Sequence, residues 1–268
     1  LALLDTFGKE FATPVRLKGK LRNLPSFRYN GVCSAEIGWQ KIKILTLFRL
    51  FGFRHVKIKI QPETAVDTVR LARKILGRGC DISVDANMAW NVSQAMGAMD
   101  LLSRFDVCAL EQPLDPHDMT GSAALVRRGK MDIMADESMH DAESLDRLIS
   151  RKAFTAINVR ISKCGGLVAS YNRCLRALEA GLKVKLGSQV GETSLLSAAQ
   201  LILISTVREI ICAEGCFGKH LLLQDPAEPL LQFGYGGRPP KMTTSPGMGV
   251  RINEEILRKY SDDVIRIE

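Results

Sequence analysis

The sequence predicts an α/β fold, a TIM-like barrel of the (β/α)7β or (β/α)8 kind. Short apolar runs alternate with longer amphipathic ones almost from end to end, the pattern of strands followed by helices. The alternation repeats about every 26 residues through the 268-residue chain. Positions 30–35 lack the glycine-rich phosphate loop that an open doubly wound sheet usually carries after its first strand. About eight strand–helix units close most simply into one barrel, an architecture that fills about 200–250 residues.

Strands are predicted at 27–33, 55–60, 81–85, 107–111, 132–136, 156–161, 183–187 and 209–213, each short and bounded by glycine or polar residues. Helical stretches lie between them, for example 63–76, 93–105 and 167–180. Gly52, Gly77 and Gly181 stand where a helix ends, because glycine tolerates the left-handed conformation of a C-terminal cap. The barrel is expected to span 26–224. Residues 1–25 read as a helix over 1–11 followed by a linker. From Asp225 the chain turns Pro/Gly-rich, and 225–268 reads as a tail packed outside the barrel, with a short helix around 254–260.

Lys and Arg outnumber Asp and Glu by 37 to 29, a net charge of +8. Residues 1–60 hold 12 of the bases and only 3 of the acids, so the rest is close to neutral. A regional bias of this kind attracts anionic small molecules or an acidic surface. No basic stripe interleaved with aromatics and no nucleic-acid-binding motif accompanies it, so nucleic acid is not an expected partner. The apolar run around 45–53 is broken by Lys41, Lys43, Arg49 and Arg54, far short of the roughly 20 residues a membrane span needs. The seven cysteines show neither C-x-x-C nor zinc spacing and read as reduced, mostly buried thiols. With Asp5, Lys9 and Glu10 interrupting any signal-peptide pattern, a cytoplasmic location is expected.

In a barrel, functional groups gather where the strands end and the βα loops begin. The last polar residue of five consecutive predicted strands is ionisable: Lys59, Asp85, Glu111, Asp136 and Lys163, at intervals of 25–27 residues. One charge at a loop start is ordinary; five in the order base–acid–acid–acid–base are not. Three converging carboxylates repel one another unless a cation joins them, and an all-oxygen ligand set suits a hard divalent ion, magnesium or else manganese. Lysines on either flank can exchange a proton with a carbon held between them. Lys57 shares a strand face with Lys59, and two ammonium groups beside a dication lower one another's pKa, so that one can serve as a base.

Six stretches carry a family resemblance: "VKIKI", "VDAN", "LEQPL", "ADES", "NVRISKCGGL" and "GSQVGETS", with "SPGMGV" at 245–250 in the tail. In this order they resemble the enolase superfamily, in its muconate-lactonizing (mandelate racemase/muconate cycloisomerase-like) subgroup. The resemblance implies Asp85, Glu111 and Asp136 as ligands of Mg2+, with Lys59 and Lys163 as an acid/base pair on opposite faces of a substrate carbon. It implies Lys57 as the tuner of Lys59 and a holder of the substrate carboxylate. Asn87 and Glu137 would support the metal site, and Glu192 would partner substrate or a lysine; ordinary loop polarity, or charge complementarity at a helix N-terminus, explains these three as well. The implied reaction moves a proton next to the carboxylate of a small molecule through an enediolate, as in a cycloisomerase or racemase. The alternatives are an o-succinylbenzoate-synthase-like lyase, a Schiff-base aldolase using Lys163, and a non-catalytic carboxylate-binding barrel. The seventh strand carries no His, and the eighth reads "CAEGCFGKHLLL", with Glu214 its one acid, which leans toward the cycloisomerase form. The resemblance also implies a homo-oligomer and an N-terminal α+β capping domain, of which 1–25 would be the end.

Overall fold

The computed structural model describes residues 1–17, 24, 27–34, 38–242 and 244–263; half of the expected linker lies outside them. Eight strands form one parallel sheet in chain order: β1 (Gly31–Cys33), β2 (His55–Lys59), β3 (Asp81–Asp85), β4 (Val107–Glu111), β5 (Asp132–Ala135), β6 (Ala156–Val159), β7 (Lys183–Leu186) and β8 (Ile210–Ala213). The sheet closes on itself just before β1. Tyr29 bridges Ala213 in parallel, and the Asn30 amide donates to the Ala213 carbonyl at 2.8 Å.

Seven helices connect the strands: α2 (Trp39–Leu50), α3 (Ala65–Leu76), α4 (Val92–Leu102), α5 (Met119–Arg128), α6 (Ala142–Ser150), α7 (Leu167–Glu179) and α8 (Ser194–Thr206). Only the four-residue α9 (Gly218–Leu221) follows β8, so the barrel is (β/α)7β with a stub. Helix α3 shows why these segments fold as they do. It buries Ala65, Thr68, Val69, Ala72 and Leu76, a stripe at helical spacing, and stops at Gly77, whose φ of 77° an L-residue rarely adopts. No helix among the described residues is long and apolar enough to cross a membrane.

Strand alternation separates two interiors. Val56, Ile58, Ile82, Val84, Leu110, Ile133, Ile157, Val159, Val184 and Leu186 belong to one large apolar cluster shared with the helices. The residues between them, including Lys57, Ser83, Asp85, Glu111, Asn158 and Lys185, are buried on the opposite face, inside the barrel. The apolar content of that inner face is a separate cluster of Ala109, Met134 and Ala156.

The two ends of the chain meet. Helix α1 (Ala2–Glu10) leads to Pro14, which bridges Gly247 in parallel; the Val15 amide donates to the Gly247 carbonyl at 2.8 Å, and Asp5 Oδ1 accepts from the Met248 amide at 2.7 Å. Val15, Leu231, Met248 and Val250 are buried, and a small cavity between these segments is lined by Ala198, Leu201 and Ile202 of α8. That cover explains why α8 buries residues on every side. The tail continues through a two-stranded ladder, β9 (Ala227–Glu228) with β10 (Arg251–Ile252), to α10 (Glu254–Lys259).

Strands β3 and β4 coincide with their predicted spans, while β6 is shorter than predicted by two residues. The chain turns straight after Val159, because the Lys163 and Cys164 amides both donate to the Arg160 carbonyl. Lys163 therefore sits in the β6–α7 loop and not at a strand end. Likewise Asp136 is the first residue past β5.

Leu110 points from β4 into the large apolar cluster and is 0% exposed. Leu110→Ala is expected to lower the unfolding free energy by about 2–5 kcal/mol, read as a lower urea midpoint. A loss under about 1 kcal/mol would place the main stabilising core elsewhere.

Candidate active site

The inward face of the barrel becomes charged at the C-terminal ends of the strands. Lys57 on β2 lies 3.2 Å from each of three carboxylates: Asp85 on β3, Glu111 on β4 and Glu214 just past β8. Lys185 on β7 reaches Glu111 Oε2 at 2.8 Å and Glu214 Oε1 at 2.5 Å. The Asn158 amide on β6 donates to Glu111 Oε1 at 2.9 Å. Every one of these charged side chains is at most 4% exposed. Gly187 allows this packing, because a Cβ there would stand 2.4 Å from Asn158 Oδ1.

Burial and pairing oppose each other at each group. Burial would discharge Lys57, but Glu214, Glu111 and Asp85 outweigh it and raise its pKa above the ordinary lysine value. The same balance raises Lys185, where Glu111 and Glu214 overcome burial. Burial raises Glu111, yet Lys185 and Lys57 pull it below the usual carboxylate range, and they also lower Glu214. Asp85 goes the other way: burial and then the Glu111 charge raise it, and Lys57 compensates only in part. Its Oδ2 lies buried without a hydrogen bond, while Oδ1 accepts from the Asn87 amide at 3.1 Å.

A second group surrounds Asp136, which is 1% exposed. Lys163 Nζ lies 2.5 Å from Asp136 Oδ1 and 2.6 Å from its backbone carbonyl, and Arg160 is bonded to Oδ2. Burial, then the Arg160 guanidinium, lower Lys163 to about 8 although it touches a carboxylate that Arg160 shares. Gln112, fully buried beside Glu111, holds the loop: its Oε1 accepts from the amides of Asp136 and Ser138 at 3.0 and 3.1 Å.

The remaining expected site residues line the rim. Lys59 is exposed, in register with Asp85 across the β2–β3 ladder. Asn87 Nδ2 lies 3.5 Å from Glu137 Oε1, and Glu137 Oε2 is buried without a partner. Glu192 Oε1 accepts from Ser162 Oγ at 2.8 Å and the Gln189 amide at 2.9 Å, beside the Lys163 loop. Burial raises its carboxyl.

Asp85 and Glu111 thus meet at one ammonium, whereas Asp136 is held apart by Arg160 and Lys163. Among the described residues no three acidic, His or Cys side chains approach closely enough to hold an ion as they stand. The donor set fits a hard divalent ion in kind: three carboxylates from consecutive strand ends, with Glu137 Oε2 buried and unpartnered and Asp85 Oδ2 buried with no hydrogen bond beyond its ion pair with Lys57. Lys185, Asn158, Arg160 and Gln112 are the residues that strand-end reasoning missed. Alternation was the available signal for three of them, since "KVKL" and "NVR" place Lys185, Asn158 and Arg160 on the inward face, whereas Gln112 follows inward-facing Glu111 directly and has a φ of 36° that breaks the alternation.

A closed parallel barrel with acids from consecutive strand ends between two lysine-bearing flanks defines the class: a (β/α)7β barrel domain with a charged mouth. A family model described as "Enolase C-terminal domain-like" matches residues 45–256. The chain belongs to that family. It is 30% identical to an N-succinylamino acid racemase from Amycolatopsis over 206 residues, covering 77% of this chain and 55% of the relative. It is 26% identical to muconate cycloisomerase 1 of Pseudomonas putida over 267 residues, covering 97% and 70%. The solved muconate lactonizing enzyme from Pseudomonas putida superposes with a TM-score of 0.87 at 26% identity, over 97% of this chain and 72% of that one. The chain spans 54–58% of the length of several curated relatives.

A lysine lowered to about 8 is about half neutral at pH 8, where ordinary lysines near 10.4 are almost wholly charged. Lys163 is expected to be acetylated by acetic anhydride at pH 8 about tenfold faster than surface lysines of equal exposure, followed by peptide mass spectrometry. A rate no higher than theirs would contradict its lowered pKa.

Proposed function

We propose that this barrel catalyses a divalent-metal-dependent 1,1-proton transfer or elimination on a small carboxylate, the chemistry of a cycloisomerase, racemase or related lyase. The observation that carries the reading is the placement of Asp85, Glu111 and Asp136 on neighbouring strand ends, with Lys59 and Lys163 on the two flanks. Relatives named for racemisation, cycloisomerisation and, in Bacillus subtilis, o-succinylbenzoate synthesis support the same reading at 24–30% identity.

Asp85, Glu111 and Asp136 would hold Mg2+, or Mn2+, with Asn87 and Glu137 as supports. The bound ion supplies positive charge to a substrate carboxylate oxygen and so makes the neighbouring C–H acidic. Lys163, lowered to about 8, accepts the proton as a neutral amine, and Lys59 at the opposite rim serves the other face of the carbon. Lys57 is held as an ammonium by three carboxylates. Its role is to keep Asp85 and Glu111 in place, and not to act as a base. Glu192, hydrogen-bonded to Ser162 next to Lys163, braces the loop that presents this amine. A small-molecule carboxylate is the substrate class, and a homo-oligomer the assembly we expect.

Incubation with a panel of N-acylamino acids and muconate-like diacids in D2O with Mg2+ is expected to incorporate deuterium next to the carboxylate, seen by proton NMR. Lys163→Ala should reduce exchange on one face by a factor of about 10²–10⁴, the usual contribution of a general base, with Mg2+ affinity retained. Exchange that survives chelation of the metal would overturn the reading. Glu111→Gln is expected to weaken Mg2+ binding at least tenfold by calorimetry, and unchanged affinity would remove Glu111 from the ligand set. The lowered amine also suits a Schiff base. Borohydride trapping of a keto acid on Lys163, indifferent to chelator, would establish that second reading instead.

A further inference from the structure

Resting on the metal reading above, we propose that Lys185 is a positioning residue that acts through Glu111 as a built-in counter-cation, and that the Lys185–Glu214 pair sets how tightly the barrel takes up its divalent ion.

Lys185 enters the site from β7, a strand that contributes neither an expected ligand nor an expected base. Its ammonium is 1% exposed and is clamped between Glu111 Oε2 at 2.8 Å and Glu214 Oε1 at 2.5 Å. Glu111 Oε1 is already engaged by Lys57 at 3.2 Å and Asn158 at 2.9 Å. Both oxygens of a central ligand carboxylate are therefore taken by the chain's own donors. A cation binding Glu111 must draw one oxygen away from a buried ammonium or share it, against like-charge repulsion.

The charge count makes the same point. The carboxylates Asp85, Glu111, Asp136 and Glu214 face the cations Lys57, Lys185, Arg160 and Lys163 through direct contacts. With Lys163 protonated, four negative charges meet four positive ones in these contacts before any ion enters, whereas a site built only to attract a dication would keep a larger excess of negative charge. Glu214 is the counterweight: it gives the Lys185 ammonium a second carboxylate, which lets Glu111 be released when an ion arrives. Removing Lys185 tips the balance toward binding, and removing the Glu214 charge tips it away.

Mn2+ binding, measured by calorimetry and by the loss of the free-ion electron paramagnetic resonance signal, reads this directly and needs no substrate. Lys185→Met keeps an unbranched chain of similar length and should bind Mn2+ at least tenfold tighter than the wild type. Glu214→Gln, which leaves Lys185 to bear on Glu111 alone, should bind at least tenfold more weakly, and Lys185→Arg should stay near wild type. A merely structural role would weaken Mn2+ in both single variants. Should Lys185→Met not fold, as judged by circular dichroism, the Lys185→Met/Glu214→Gln double variant takes its place and should bind more tightly than Glu214→Gln alone. Equal or weaker binding in the folded Lys185 variant, with the wild type still binding, overturns the inference and leaves the metal reading standing. Absence of Mn2+ binding in the wild type and in every variant overturns both.

Discussion

Glu111 lies on the inner wall of the barrel, 1% exposed, with Lys57, Lys185 and Asn158 all directed at its two oxygens. A carboxylate in that position cannot be relieved by solvent, so its partners must be supplied by the fold, and leaving a buried charge alone costs roughly 3–5 kcal/mol. Meeting that demand explains much of the surrounding sequence. It requires a lysine one pleat inside β2, another inside β7 and an amide from β6, and it requires glycine at 187, where a side chain would strike Asn158. Glu214 in turn shares both ammonium groups, so the network spans the barrel from β2 to β8.

Such an interior is affordable because the apolar core lies elsewhere. Barrels of this kind usually fill their centre with branched apolar side chains; here the inner apolar cluster is reduced to Ala109, Met134 and Ala156. The outward faces of the strands carry the burial instead, from Val56 and Ile58 round to Val184 and Leu186. Stability and chemistry are therefore assigned to opposite faces of the same strands. Period-two alternation separates them, and a one-residue slip in any strand would exchange the two.

Much of this arrangement is legible in the sequence. The intervals between Lys59, Asp85, Glu111 and Asp136 follow the strand–helix repeat, and β3 and β4 end at Asp85 and Glu111 as predicted. Lys163 was found by the same count for a different physical reason: it belongs to a tight turn closed on the Arg160 carbonyl, not to β6. Lys185 is the last polar residue of the predicted seventh strand, but it lies outside the base–acid–acid–acid–base run, which ends with the sixth strand. Its partner Glu214 stood out as a lone acid near the eighth strand, but nothing local in either segment says that the two touch. Pairing across a closed barrel is a property of shear and closure, which depend on the whole sheet.

Three lysines at the mouth show how environment divides one residue type into different chemical groups. Sequence proximity alone sets Lys57 against Lys59 as mutually repelling ammonium groups. In the folded barrel Lys57 instead meets three carboxylates, which hold its charge more firmly than burial can remove it. Lys59, two residues on, is exposed at the rim. Lys163 has burial and a neighbouring guanidinium against it and shares its one carboxylate with Arg160, so its charge is the one that yields, at about 8. Lys57 keeps its proton because three carboxylates outweigh its burial, whereas for Lys163 burial weighs most against the charge and the Arg160 guanidinium, next to the turn that carries it, adds to that.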